Sequence, residues 1–130
     1  MIAVDTNVLV RLLTNDDPEQ GARAARLFAS DNVFIPKSVL LETEWVLRFS
    51  YGLSRTAILT AFERLLTVES VTLEGAPAVR AAVLHYAAGM DFGDALHVRS
   101  SEGAAAFFTF DRKLVRAAAR GKTAPPVRQA

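Results

Sequence analysis

Four acidic residues stand out by where they fall: Asp5, Glu42, Asp94 and Asp111. Asp5 ends the short apolar run Ile2-Ala3-Val4, and Asp111 ends Ala106–Phe110. A carboxylate at the carboxyl end of a buried strand faces the crevice where open α/β sheets bind ligands. Both also have a purely structural reading. Asp5-Thr6-Asn7 is good capping chemistry for a helix starting near Val8, and Asp111 can cap a helix starting at Arg112. Thr109 shares the Asp111 side of its strand and is placed to orient a ligand or a water. Glu42 lies in SVLLETEWVLRF. On a helix, Val39, Trp45, Val46 and Phe49 fall within about 60° of it, so it is expected within an apolar stripe. An unpaired glutamate there costs several kcal/mol, which asks for an ion pair with an arginine or for a ligand role. Glu44 points nearly the opposite way and is expected to form a surface i,i+4 pair with Arg48. Asp91 and Asp94 lie in MDFGDALHV. Asp91 can cap a helix with Asp94 in its first turn, or Asp94 can project from a buried helix start into a cleft. His97 lies one turn on and reads as a packed histidine.

Four carboxylates in one cleft would repel, each close pair by about 4 kcal/mol at about 4 Å and an effective dielectric near 20. Hard divalent cations relieve that repulsion and prefer oxygen ligands. With no cysteine and only two histidines, zinc is disfavoured. An all-carboxylate cation site suits metal-assisted attack of water on a phosphodiester. Two other readings stay open. In one, the acids only cap helices and a basic tail binds nucleic acid without catalysis. In the other, Asp5 is a phosphoryl acceptor, as in haloacid-dehalogenase-like phosphatases, although Asn7 stands where those enzymes usually carry a second aspartate.

The elements that would position these groups follow from apolar runs and their boundaries. Ile2–Val4, Val33–Ile35, Val71–Leu73 and Ala106–Phe110 are short apolar runs closed by turn or polar residues, as expected of fully buried strands, with a weaker fifth near Val127. Helical patterning predicts Pro18–Ala29, Ser38–Phe49, Ser54–Thr67, Ala76–Ala88, Phe92–Glu102 and Arg112–Arg120, with Gly52, Gly75, Gly89, Gly103 and Gly121 at the seams. Strands alternating with helices predict an α/β chain with a parallel sheet covered on both faces. The 130 residues fit one domain, 1–130. The net charge of +1 does not announce a nucleic-acid binder, but no acid follows Asp111, whereas Arg112, Lys113, Arg116, Arg120, Lys122 and Arg128 do. That distribution reads either as a solvated basic helix and tail or as a patch that meets phosphates. The opening MIAVDTN carries no signal-peptide pattern, no apolar run is long enough to span a membrane, and the lack of cysteine is compatible with a cytoplasmic location.

The segments IAVDTNVLVRLL, VLLETEWVL, DFGDALHV and FFTFDRKL, in this order and spacing, resemble the PIN-domain family and in particular the VapC toxins of bacterial toxin–antitoxin pairs. The resemblance spans nearly the whole chain and places the family's acidic positions on Asp5, Glu42, Asp94 and Asp111, with Asp91 at a frequent additional acid. It implies a three-layer α/β/α fold around a parallel sheet of about five strands, and Mg²⁺- or Mn²⁺-dependent endoribonuclease activity on structured RNA. It also implies a homodimer and a VapB-type antitoxin. On this reading Asp5 and Asp94 anchor a metal, Asp111 contributes directly or through water, and Glu42 holds a second metal or orients or deprotonates the attacking water.

Overall fold

Short β-rich runs and longer amphipathic stretches alternate along the chain, and the computed structural model, which describes residues 1–130, turns them into twelve elements. These elements gather into two compact units, Met1–Ala76 and Pro77–Ala130.

The first unit holds β1 (Ile2–Ala3), α1 (Thr6–Leu13), α2 (Pro18–Ser30), β2 (Val33–Ile35), α3 (Lys37–Phe49), α4 (Arg55–Leu65) and β3 (Val71–Leu73). The three strands form a parallel sheet in the order β1-β2-β3, with Ile2 opposite Val33 and Val33 opposite Val71. Val33 and Ile35 of the middle strand are fully buried, as expected of a strand covered on both faces. Helix α1 packs on α2 and α3. Its Arg11 reaches Asp16 at 3.0 Å and the Tyr51 hydroxyl at 2.6 Å, while that hydroxyl donates to Asp16 at 2.7 Å. The Tyr51 and Thr14 hydroxyls, with Arg11 assisting, hold the Asp16 carboxyl below its usual range. Helix α3 has no side-chain cap of its own, because Pro36 occupies its N-cap. Glu74, just past β3, accepts from the Lys37 N–H at 2.8 Å instead.

Helix α3 reverses the expected faces. Its buried stripe is Leu40, Thr43, Glu44 and Leu47, whereas Glu42, Trp45 and Phe49 are exposed. The two aromatic residues, counted as core by type, instead pack on each other at 5.1 Å between ring centroids, with the Arg48 guanidinium 4.5 Å from the Phe49 centroid. Glu44 is therefore the buried acid, 2% exposed. Arg48 Nη2 donates to its Oε1 at 3.1 Å, and Arg48 Nε lies 2.9 Å from Oε2, off the line of a good hydrogen bond. The i,i+4 pair is the expected one, but it is a pair at the core rather than on the surface.

The second unit holds α5 (Ala76–Ala87, all but its first residue), α6 (Phe92–Arg99), β4 (Phe107–Thr109), α7 (Arg112–Gly121) and β5 (Val127–Gln129). Strands β4 and β5 pair in parallel, Phe107 opposite Val127 and Thr109 opposite Gln129, and α7 packs on both. Tyr86 and Phe92 meet edge-on at 5.6 Å, which joins the end of α5 to the start of α6. Between them Gly89 takes φ +110°, a conformation that a side chain would strain. At the end of α7 the left-handed position falls on Lys122 rather than on Gly121, which stays helical.

The α/β class and the all-parallel pairing agree with the sequence, and all five strands are present. They divide into a three-stranded and a two-stranded sheet rather than one sheet of five. Each strand is only two or three residues long, so each ladder has few hydrogen bonds to extend it. Nor is β4 fully buried, since Phe108 is 63% exposed. No helix is long and apolar enough to cross a membrane. Glu44→Ala should lower unfolding stability by about 2 kcal/mol, because it strips a core-side partner from a half-exposed arginine. Denaturant titration with an unchanged slope checks this, and a change under about 0.5 kcal/mol would show that the pair is dispensable.

Candidate active site

Every junction from a strand or loop into α1, α6 and α7 is closed by an aspartate. Asp5 Oδ1 accepts from Val8 N at 3.1 Å, Asp91 Oδ2 from Asp94 N at 3.0 Å, and Asp111 Oδ1 from Lys113 N at 2.8 Å and Leu114 N at 3.3 Å. The capping readings of Asp5, Asp91 and Asp111 are thus realised. They do not consume the side chains, since Asp5 and Asp111 each bond the helix through one oxygen and leave the other open.

In the first unit, Asp5 lines a cavity of about 410 Å³ with Asn7, Val8, Arg11, Gln20 and Arg23. Glu42 is exposed on α3, so its candidacy no longer rests on burial. It rests on its place in the acidic pattern.

In the second unit, Asp91, Asp94 and Asp111 line one cavity of about 380 Å³. Asp94 differs from its neighbours in that its carboxylate caps nothing. It is half-buried in the first turn of α6. Burial pushes its carboxyl above the usual range and the Asp91 and Asp111 carboxylates push it further, while His97 pulls weakly the other way. The Thr109 hydroxyl accepts from the Asp111 N–H at 3.0 Å and so fixes the start of α7, while its own proton stays free to be donated.

The same cavity carries Lys113, Arg116 and Arg120. None lies within ion-pair distance of a carboxylate. Their spacing of three and four puts them on one face of α7, opposite the buried Leu114 and Ala118. Arg112, four residues before Arg116, shares that face by helical spacing but does not line the cavity. Unpaired cations beside crowded carboxylates give a surface that can accept an anion and a metal ion together.

No group of three or more His, Cys, Asp or Glu side chains is gathered closely enough to hold a metal ion. The donor set fits a hard divalent cation in chemistry, being all carboxylate oxygen. Mg²⁺ needs only one or two direct carboxylates, with waters and substrate phosphate completing its shell.

The PIN domain family profile matches residues 2–120, and the chain belongs to the PIN domain family. Among solved structures, the chain is similar to the sarcin–ricin loop cleaving toxin VapC20 of Mycobacterium tuberculosis, with 29% identity over 90% of this chain and 95% of that one and a TM-score of 0.42. No curated protein sequence matches.

Folded Asp94 holds its proton more tightly than the unfolded chain does, so stability falls as pH rises through the ordinary carboxyl range towards the raised value, and the deficit persists at neutral pH. Asp94→Asn removes the deficit. Without divalent metal, its melting temperature should exceed that of the parent at about pH 7 and approach it near about pH 3. Parent-like melting at both pH values would show that Asp94 is not crowded by charge.

Proposed function

We propose that this chain is a metal-dependent endoribonuclease, using Mg²⁺ or, in its place, Mn²⁺, and that it is the toxin of a VapBC-type toxin–antitoxin pair in the cytoplasm. The observation that carries the nuclease reading is Asp94. Capping accounts for Asp5, Asp91 and Asp111, and a pair with Arg48 accounts for Glu44. Asp94 stands in the first turn of α6, where the helix dipole favours an acid, yet its half-buried carboxylate makes no cap and is set against two others, so that its surroundings on balance disfavour the charged form. A cation accounts for it, and membership of the PIN family supports that account. The toxin reading is supported by the resemblance of the four acidic segments to VapC proteins. With it come a VapB-type antitoxin and a homodimer as partners, and the chain 1–130 working as one PIN domain.

In this reading Asp94 and Asp111 offer oxygens to the cation. Asp5 is assigned the same duty, and Glu42 that of orienting or deprotonating the attacking water or holding a second cation, each through its place among the family's acids. When bound, the cation supplies a water acidified at neutral pH and charge stabilisation at the phosphate. Lys113, Arg116 and Arg120 hold the RNA backbone through its phosphates. Anchoring Asp111 through two α7 amides fixes its position before substrate arrives, which limits reorganisation during the reaction. The reading in which the acids only cap helices predicts RNA binding that ignores divalent metal and leads to no cleavage.

Asn caps helices about as well as Asp, so Asp5→Asn and Asp111→Asn separate charge from capping. Both variants, prepared free of antitoxin, should melt near the parent temperature yet fail to cut total RNA in Mg²⁺, with cleavage sites mapped by sequencing the RNA ends. Full activity in Asp5→Asn would overturn its assignment.

A further inference from the structure

The cavity that Asp5 lines in the first unit holds two cations, Arg11 and Arg23, and only one of them is engaged. Arg11 donates through Nε to Gln20 Oε1 at 2.7 Å, and through Nη1 to Asp16 at 3.0 Å and to the Tyr51 hydroxyl at 2.6 Å. Asp16 thereby offsets its charge. Arg23 is exposed, with no carboxylate within ion-pair distance and no hydrogen-bond partner. An exposed arginine is ordinary. What sets Arg23 apart from Arg26, three residues on and also exposed, is that it lines the cavity of Asp5 and Arg26 does not.

The packing of α1 on α2 places that cation. The helices approach so closely at Gly21 that a Cβ there would lie 3.3 Å from the Arg11 carbonyl oxygen. Gln20, Arg23 and Leu27 follow at helical spacings of three and four, so one stripe of α2 lines the cavity, and Asn7 and Arg11 line it from α1. The bond from Arg11 also orients the Gln20 amide. Its Oε1 is the acceptor, so the Nε2 donor stays free. The Asn7 side chain makes no bond within the chain. The cavity of about 410 Å³ thus brings together a free guanidinium fork, two free amide groups and the open carboxylate oxygen of Asp5. A guanidinium fork matches two oxygens of one phosphate. Donors arriving from two helices suit a tetrahedral phosphate, whose oxygens face several directions, better than a planar carboxylate.

We propose that Arg23, assisted by Gln20 and Asn7, binds a backbone phosphate of the RNA in the cavity that Asp5 lines, so that the first unit has its own hold on the substrate besides the cations of α7. For its ligand this rests on the nuclease reading, and Arg23 in it is a substrate-binding residue. Arg11 does not share that duty, because its charge is met by Asp16. It acts one step back, by holding Gln20.

The test uses the full chain as parent, Arg23→Gln, Arg23→Lys and Arg26→Gln. Each is titrated in EDTA with a short fluorescein-labelled RNA over a series of KCl concentrations. Because both arginines are exposed, the variants should melt as the parent does. Arg23→Gln should bind roughly tenfold more weakly at about 0.1 M salt, and its plot of log affinity against log salt should be shallower by about 0.7, the loss of one phosphate contact. Arg23→Lys keeps the charge without the fork, so it should keep the parent's slope and recover only part of the affinity. Arg26→Gln removes the same charge outside the cavity and should leave affinity and slope unchanged. With Mg²⁺, Arg23→Gln should raise KM with little change in kcat. Equal losses in Arg23→Gln and Arg26→Gln would overturn the site, since a diffuse field would then explain them. So would parent-like RNA binding by Arg23→Gln alongside altered self-association of the protein, which would assign Arg23 to a protein contact. If Arg23→Gln shows the expected loss of affinity and slope but the parent cuts no RNA in Mg²⁺, the nuclease reading fails while the phosphate site stands.

Discussion

The dominant constraint in this chain is the need to satisfy the first amides of a helix that follows immediately on a strand or tight loop. Those N–H groups have no partner within the helix, and a carboxylate oxygen meets them at Asp5, Asp91 and Asp111. The same bonds fix where the remaining carboxylate oxygens lie. Asp94 is placed at one remove, because its own N–H is the one that Asp91 caps. Helix capping and charge placement are therefore one structural problem in this protein.

Electrostatics in the second unit follow from that arrangement. Three carboxylates share a cavity with three cations from one face of α7, and the two sets do not neutralise one another in ion pairs. Direct pairing would give a quieter surface. Its absence leaves charge of both signs open along one cavity. The hydrophobic side of α7 contributes by keeping that helix seated on β4 and β5 through Leu114 and Ala118.

Much of this was legible in the sequence, and what was not has identifiable causes. Val33–Ile35 and Val71–Leu73 emerge as predicted because short β-branched runs bounded by turn residues admit few alternatives. The caps at Asp5 and Asp111 were visible in local residue chemistry, though Thr6–Leu13 was foreshadowed only by the cap and not by its own pattern. Glu42 and Glu44 exchanged roles because residue type assigned Trp45 and Phe49 to the core, while the fold buries the neighbouring stripe and leaves the rings outside. The same weakness hid Phe108 and Phe110. An apolar run reads as a buried strand, and only the three-dimensional placement shows which side is uncovered. The division of five strands between two sheets depends on which short ladders close, and that is not a local property.

The Glu74 cap on α3 has a consequence for how the first unit assembles. Its carboxylate comes from beyond β3, 37 residues along the chain from the Lys37 amide that it serves. The parallel ladders likewise join residues about 30 to 40 positions apart. The helix that carries Glu42 thus gains its closing bond only after the third strand has arrived. Such dependence on distant partners slows folding relative to a bundle built from neighbours. A nascent chain that stops short of Glu74 would carry α3 with its leading amide bonded to water instead of the carboxylate, so the order of synthesis delays the capped helix until the whole three-stranded unit has been made.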